Sequence, residues 1–481
     1  MLKGAIAGIA LISSASACDA AGADPRIART ETGLKPAIIF KGRPAPHHSI
    51  EQQLQHFKVP GVSVAVVEDC KIAWARGYGK RNDREFVTPQ TLFLAGSVSK
   101  PVAAVAALRM VERGQLQLDT NVNDTLRSWK LPENAFTRKR PVTLRLLLSH
   151  GAGTTVPGFG GYPRGTAIPT IRQILDGQPP ANSDPVRVDK LPGENWRYSG
   201  GGYTIAQLLM SDAARTPFPK LMYDLVLNPL GMSSSTYDQK LPRTWAARAA
   251  HGRRSDGSPV PGGWHVYPEM AAAGLWTTPA DLSRFLIGVI HAWRGDAGGI
   301  LHNSTAMLML TRQMGSWGLG PQLDGEGKAF RFSHAGVDEG FLTQVVAFPD
   351  TCQGAAIMAH SDWADPLMQE LLRSIAEQYR WPAYSRSQRR AMTPLTHAQQ
   401  NRLTGTFEFV EPSGLAVNIV NKHGFLEVTW FEQTFSLVGE STDVLLAPDS
   451  GMVFAFEDDA NTLKISTGDG QKYVGHRKTA Q

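Results

Sequence analysis

From Leu403 to Lys478 the sequence holds only short runs in which apolar and polar residues alternate: "GTFEFV", "LAVNIV", "FLEVTWFE", "TFSLVG", "MVFAFED" and "TLKIST", parted by turns such as "NKHG" and "GDG". Successive side chains of a strand point to opposite faces, so a period of two specifies half-buried strands. Regularly spaced strands of this kind close most readily into a small all-β meander or barrel. Residues 401–481 are therefore expected to form a separate C-terminal β domain.

Upstream the texture is mixed. The alternation in "GVSVAVVED" (61–69) and "KIAWARGYG" (71–79) reads as a hairpin turning near Asp69 and Cys70. Strand runs return in "FRFSHAGV" (330–337), "GFLTQVVAFPD" (340–350) and "GAAIMAHS" (354–361), and the helical "DPLMQELLRSIAEQYR" follows at 365–380. Between them the stretch from Asp119 to Gly263 is rich in Pro and Gly, with helical pieces such as "YTIAQLLMSDAAR" (203–215). An antiparallel sheet built from both ends of a segment, interrupted by a mostly helical insertion, is an α+β architecture. Its span is 50–380, flanked by a linker at 18–49 and a basic linker at 381–400 that contains "RSQRR". The total of 481 residues exceeds what one core supports, which agrees with two folded units.

A formal net charge of +6 over this length is dilute, and no basic stripe interleaves with aromatics, so no nucleic-acid partner is expected. At the N-terminus Lys3 precedes an apolar run from Gly4 to Ile12 and the small residues "SSASA". That is a signal peptide over 1–17, too short for a spanning helix, and it implies export to a bacterial periplasm or to a membrane surface. Cleavage after Ala17 leaves Cys18 first, which resembles the lipid-attachment site of bacterial lipoproteins, although Ala15 stands where those sites prefer leucine. Lipid anchoring through Cys18 and simple secretion both remain open. Only Cys70 and Cys352 are left, to pair in an oxidising compartment or to stay as buried thiols.

The chain lacks G-x-S-x-G, H-E-x-x-H, C-x-x-C and a phosphate-binding glycine loop, so no metal and no cofactor are expected. Its single S-x-x-K is Ser97-Val98-Ser99-Lys100, at the head of the apolar helical run Lys100 to Gly114. Alone the motif is weak, because about one chance match is expected in such a length and a serine there is commonly a helix cap. Its chemical reading is that residues three apart share a helix face, bringing the Lys100 amine to the Ser97 hydroxyl, while free N–H groups of the first turn await an oxyanion. Two further candidates are Tyr198, ahead of a glycine run that can bring backbone close to a ligand, and His334 with Gly336 on one strand face, where a substrate backbone can lie against the strand.

In this order the motifs resemble those of the penicillin-recognising serine hydrolases, in the branch of class C β-lactamases, D-Ala-D-Ala carboxypeptidases, D-aminopeptidases and related esterases. The resemblance runs from about Ile50 to Arg380 and rests on "AGSVSK", "LLLSHGAG" (146–153), "YSGGGY" (198–203), "AAAGLWTTPADLSRFL" (271–286) and "SHAGVDEGF" (333–341). It implies a β-lactamase-like fold, with the C-terminal domain lipocalin-like as in some members. It implies that Ser97 is the acylated nucleophile, Lys100 its base and Tyr198 the second acid/base. The N–H groups of Ser97 and Val337 would form the oxyanion hole, His334 would take the place of the lysine in the K-T-G box, and His150 would be structural. Gly200 stands where the tyrosine box carries asparagine, which argues against an efficient β-lactamase. The expected function is a metal-free serine hydrolase acting on a D-amino-acid peptide or a small ester. The alternatives are a class C-like β-lactamase and a penicillin- or peptidoglycan-binding sensor without efficient turnover. The family sheet also implies that Cys70 and Cys352 lie at one sheet end, within disulfide reach.

Overall fold

The hairpin at the start of the sheet follows directly from its turn. The strands β1 (Gly61–Glu68) and β2 (Lys71–Gly79) are joined by Asp69 and Cys70, both at positive φ (47° and 58°). Two successive left-handed residues make the tight turn whose twist matches that of paired strands. The computed structural model describes residues 24–384, 386–409, 416–430, 433–468 and 470–478. The expected signal peptide and Cys18 lie outside the described residues.

The remaining strands of the sheet come from the other end of the domain: β3 (Gln322–Asp324), β4 (Arg331–Asp338), β5 (Phe341–Phe348) and β6 (Gln353–Ala359). They give an antiparallel sheet of order β2-β1-β6-β5-β4-β3, in which β1 pairs with β6 and so joins the two chain segments. The same end of the sheet is closed covalently. Cys70 and Cys352 form a disulfide with their Cα atoms 5.1 Å apart.

One face of the sheet is covered by α1 (Pro25–Thr32), α2 (Ile50–His56) and, from the far end of the domain, the helix Asp365–Gln378, around Ile50, Val62, Val64, Ile357 and Leu371. The other face meets the helical layer and its larger core. At the centre of that layer runs α3 (Ser99–Glu112), with Val102 to Leu108 buried without interruption. A helix that is apolar all round belongs inside a core. Beside it lie α4 (Gly200–Ala214) and α5 (Pro279–Arg294), which completes the α+β, β-lactamase-like unit.

The last strands, β7 (Gly405–Phe409), β8 (Ala416–Lys422), β9 (Phe425–Trp430), β10 (Gln433–Ser441), β11 (Val444–Ala447), β12 (Met452–Glu457), β13 (Thr462–Ser466) and β14 (Lys472–Arg477), form a closed barrel. Each pairs with the next, and the first pairs with the last through Phe407 and Arg477. The inward members of the alternation, among them Phe407, Ile419, Val428, Phe454 and Leu463, build its core.

The flanking stretches read as linkers are built into the structure. Ile38–Phe40 runs parallel to Gln388–Arg390 as a two-stranded sheet, and Ile38 N–H donates to Pro448 O at 3.0 Å. Arg390 of the basic run forks onto Glu440 of the barrel, with Nε donating at 2.7 Å.

Candidate active site

The short strand Phe93–Leu94 leads into a single 3-10 turn, Gly96–Val98, and then into α3. Gly96 holds φ +52°, and a Cβ on it would lie 2.5 Å from Val337 N, so only glycine lets the turn press against β4. The turn is pinned from three sides. Gly96 N–H donates to Asp338 Oδ2 at 3.1 Å, Ser99 Oγ donates to Gly96 O at 2.6 Å, and Ser99 Oγ accepts Leu275 N–H at 3.0 Å.

Ser97 therefore precedes the helix rather than capping it. The N-cap of α3 is Val98, with no side-chain cap bond, and the Ser97 hydroxyl instead accepts from Lys100 Nζ at 2.8 Å. Lys100 is 1% exposed and has no ion-pair partner among the described residues. Its amine also donates to Ala272 O at 2.8 Å, a carbonyl fixed in the helical turn Met270–Ala273. An amine held by a hydroxyl and a carbonyl, with no carboxylate clamping it, is arranged for proton exchange with that hydroxyl.

Tyr198 is brought to the same amine: Lys100 Nζ lies 5.0 Å from its ring centroid. The ring is braced by His150, stacked at 4.3 Å and tilted by 30°. Ser199 N–H donates to His150 Nδ1 at 3.1 Å, and burial, followed by the nearby Lys100 charge, holds the imidazole neutral with its pKa well below the usual value. His150 thus orients Tyr198 from behind.

On β4, His334, Gly336 and Asp338 share the buried face toward the 3-10 turn. His334 Nδ1–H donates to Ala335 O at 2.6 Å, which leaves Nε2 as an acceptor, buried and without a partner. Burial, and then the Lys100 charge, pushes its pKa down to about 3. Where the resemblance places a lysine, the site thus offers an acceptor nitrogen and no positive charge. Gly336 also differs from its expected use. A Cβ there would overlap the Ala95 carbonyl oxygen and lie 3.0 Å from Ser97 N, so the missing side chain makes room for the nucleophile turn, not for substrate. Pairing with β3 stops at Ser333, and among the described residues the outer edge of β4 from His334 onward has no strand neighbour. Here the nucleophile turn and the strand lie against each other: Val337 N is 2.5 Å from where a Cβ on Gly96 would stand, and Ser97 N 3.0 Å from one on Gly336.

The glycine run after Tyr198 is likewise not a ligand loop. Gly200 to Gly202 form the first turn of α4, capped by Ser199 Oγ accepting Gly202 N–H at 3.0 Å. A Cβ on Gly201 would lie 2.8 Å from Thr155 O and from a Val186 methyl, so packing of neighbouring segments demands the glycine. Above Tyr198 the indoles of Trp196 and Trp317 stack at 5.8 Å, and Trp317 stands edge-on to His334 at 5.2 Å. Among the described residues no group of three or more His, Cys, Asp or Glu side chains is gathered as for a metal ion.

Residues 48–380 match the model of the Beta-lactamase family. The chain belongs to the beta-lactamase family. Members of this family are serine hydrolases. Penicillin-binding protein 4 of Amycolatopsis lactamdurans is 26% identical over 335 residues, which cover 66% of this chain and 85% of that protein. The octameric penicillin-binding protein homologue of Pyrococcus abyssi has the same fold, with a TM-score of 0.58 at 19% identity over 88% of this chain and 98% of the other. So does the D-amino acid amidase of Ochrobactrum anthropi SV3, solved with L-phenylalanine amide, with a TM-score of 0.57 at 20% identity over 69% and 97%.

Within this beta-lactamase family framework, four contributors to the site escaped sequence reasoning. Trp317 carried a weak signal as an aromatic in the glycine-rich "SWGLG", and Asp338 as an acid two positions past Gly336 on the same strand face. The Ala272 carbonyl and the packing of Phe159 over Gly200 carried none, because both are tertiary contacts.

Proposed function

We propose that the chain is an exported serine hydrolase that cleaves an amide or ester through an acyl-enzyme on Ser97. The observation that carries this reading is the 2.8 Å contact between Lys100 Nζ and Ser97 Oγ. In this reading Lys100 Nζ is the base that takes the Ser97 proton as Oγ bonds to the substrate carbonyl carbon, and the oxyanion faces the N–H groups of Ser97 and Val337. The C–N or C–O bond then breaks, with a proton passed through Tyr198 to the leaving group. Water adds to the acyl carbon, releases the acid and returns a proton to Ser97 Oγ.

Two features favour neutral esters and amides over β-lactams and free peptide carboxylates. His334 is uncharged near neutral pH and does not attract a substrate carboxylate. Gly200 supplies no amide to hold a substrate carbonyl. Export is supported by the N-terminal Lys3 and apolar run, and by the Cys70–Cys352 disulfide, a bond characteristic of oxidising compartments.

The test is intact-protein mass spectrometry during turnover of a chromogenic ester, a D-alanyl peptide and a chromogenic cephalosporin. An acyl adduct mapped to Ser97, lost in Ser97→Ala together with turnover, is the expected result. Turnover that persists in Ser97→Ala sinks the reading. A long-lived cephalosporin adduct without turnover of any substrate would replace it with the sensor. Cell fractionation, with sequencing of the mature N-terminus, tests export and the fate of Cys18.

A further inference from the structure

The space that a side chain at residue 200 would fill is already occupied. A Cβ on Gly200 would lie 3.1 Å from Phe159 Cε2, 3.4 Å from Phe159 Cδ2 and 3.1 Å from Pro157 O. Phe159 comes from the loop after Gly153, which is fastened to the start of α4 along its length. Gly200 N–H donates to Pro157 O at 3.0 Å, Gly201 N–H to Val156 O at 3.0 Å and Ser199 Oγ to Thr155 O at 2.6 Å. One residue beyond Phe159, the Gly160 carbonyl is held by His265 Nδ1 at 2.9 Å. The ring is thus set in place from both sides by backbone contacts.

Two residues before Tyr198 stands Trp196, and two residues after it the side-chain space of Gly200 is taken by the ring of Phe159. Trp196 is 42% exposed although it stacks on Trp317, a large apolar face left open to solvent beside the tyrosine. The imidazoles nearest Tyr198, His150 and His334, are both held neutral by burial. Arg197, between Trp196 and Tyr198, is engaged by Asp189. The Lys100 amine is buried against Ser97 and Ala272. Aromatic faces around a reacting centre select apolar groups by burial and ring contact; here Trp196 is exposed, Phe159 half-buried and Trp317 buried beneath Trp196.

We infer that Phe159, Trp196 and Trp317 form an apolar slot for the acyl half of the substrate, with Phe159 as a specificity-determining residue, so that the preferred acyl donors carry an aromatic or bulky apolar group. This rests on the proposal that Ser97 is acylated and names the substrate class of the same site. The ring of Phe159 does by contact what a side-chain amide at residue 200 would do by hydrogen bonding: it orients the acyl group, without requiring a carbonyl on it.

The experiment compares kcat/KM for p-nitrophenyl phenylacetate and p-nitrophenyl acetate, which differ in the acyl group alone, in the full chain and in Phe159→Ala and Phe159→Leu. The native chain should prefer the phenylacetyl ester by about tenfold or more beyond the ratio of the two uncatalysed hydrolyses. That ratio should collapse toward one in Phe159→Ala and recover in part in Phe159→Leu. Because each ratio is taken within one protein, incomplete folding of a variant cancels. A companion pair with constant acetyl and varied alcohol locates the slot, and a preference that follows the alcohol overturns the acyl assignment. An unchanged ratio in Phe159→Ala overturns the role of Phe159 while the hydrolase reading stands. If neither ester shows Ser97-dependent turnover, the hydrolase reading falls, and calorimetric binding of phenylacetamide against acetamide to Ser97→Ala still decides the slot. Equal or absent binding of the two overturns it.

Discussion

The Asp338 carboxylate oxygen Oδ2 accepts the N–H of Gly96, one residue before Ser97, at 3.1 Å. This bond ties the nucleophile turn to the strand that carries His334 and Gly336. Its loss in Asp338→Ala leaves a buried donor unpaired, at a cost of about 1–3 kcal/mol. Thermal denaturation should show that loss, and kcat should fall more than KM rises, because the turn that presents Ser97 is loosened. Asp338→Asn keeps an acceptor and should restore both. Burial raises the Asp338 pKa, so the native carboxyl disfavours the folded state increasingly above the usual carboxylate range. Asn should therefore be at least as stable as Asp at pH 7, with the difference closing in acid. An Asn variant as damaged as the Ala variant would remove Asp338 from this positioning role.

His334 is expected to leave no mark on the pH–rate profile between pH 5 and 8. Its pKa is depressed from 6.5 to about 3 by burial and then by Lys100, so it stays neutral across that range. The sign for stability follows: the unfolded chain binds the proton first, so stability is lost as pH falls from 6.5 toward 3. His334→Gln should flatten part of that acid loss and should remove no inflection from kcat/KM. His150, lowered in the same direction, keeps its own share. An inflection near pH 6.5 that disappears in His334→Gln would contradict this.

Glu269 acts in the opposite direction. Burial pushes its carboxyl from 4.5 up to about 7, with the Tyr162 hydroxyl donating at 3.4 Å as its hydrogen-bond partner. Below pH 4.5 both folded and unfolded forms are protonated. Between 4.5 and 7 only the folded form is, so stability falls as pH rises through this window, by on the order of 3 kcal/mol. Glu370 titrates over the same window between α2 and the helix Asp365–Gln378. Melting temperatures from pH 4 to 8 should decline less steeply in Glu269→Gln than in the native chain. Parallel declines would show that Glu269 ionises freely in the fold.

The Cys70–Cys352 bond closes a loop with a sequence separation of 282. Closing so long a loop restricts the unfolded chain, and its removal should cost about 2–5 kcal/mol. Calorimetry of the native chain with and without reductant, beside the double variant Cys70→Ser/Cys352→Ser, should show a common fall in Tm. A reduced chain that melts with the oxidised one would deny the bond a part in stability.

The parts that were legible in the sequence were those written locally. Asp69-Cys70 between two alternating runs spells a hairpin, and the period of two after Leu403 spells the barrel, because the turn or the alternation itself carries the information. Ser97 and Lys100 are three residues apart and meet through local geometry. Gly200 and Gly201 were misread because the reason for each glycine is another segment: the loop at 155–159 and Val186. Gly336 was misread for the same cause, since what it avoids is the Ala95 carbonyl of a distant turn. The neutrality of His334 comes from burial and from Lys100, and neither is visible in "SHAGV".

The parallel pairing of Ile38–Phe40 with Gln388–Arg390 spans almost the whole hydrolase domain. During synthesis the first of these strands emerges long before its mate. Until then its backbone donors and acceptors are an unclaimed edge, of the kind that recruits other chains. A product cut short before residue 388 would keep that edge open, so it is the short segment ahead of the barrel, Gln388–Arg390, that closes it.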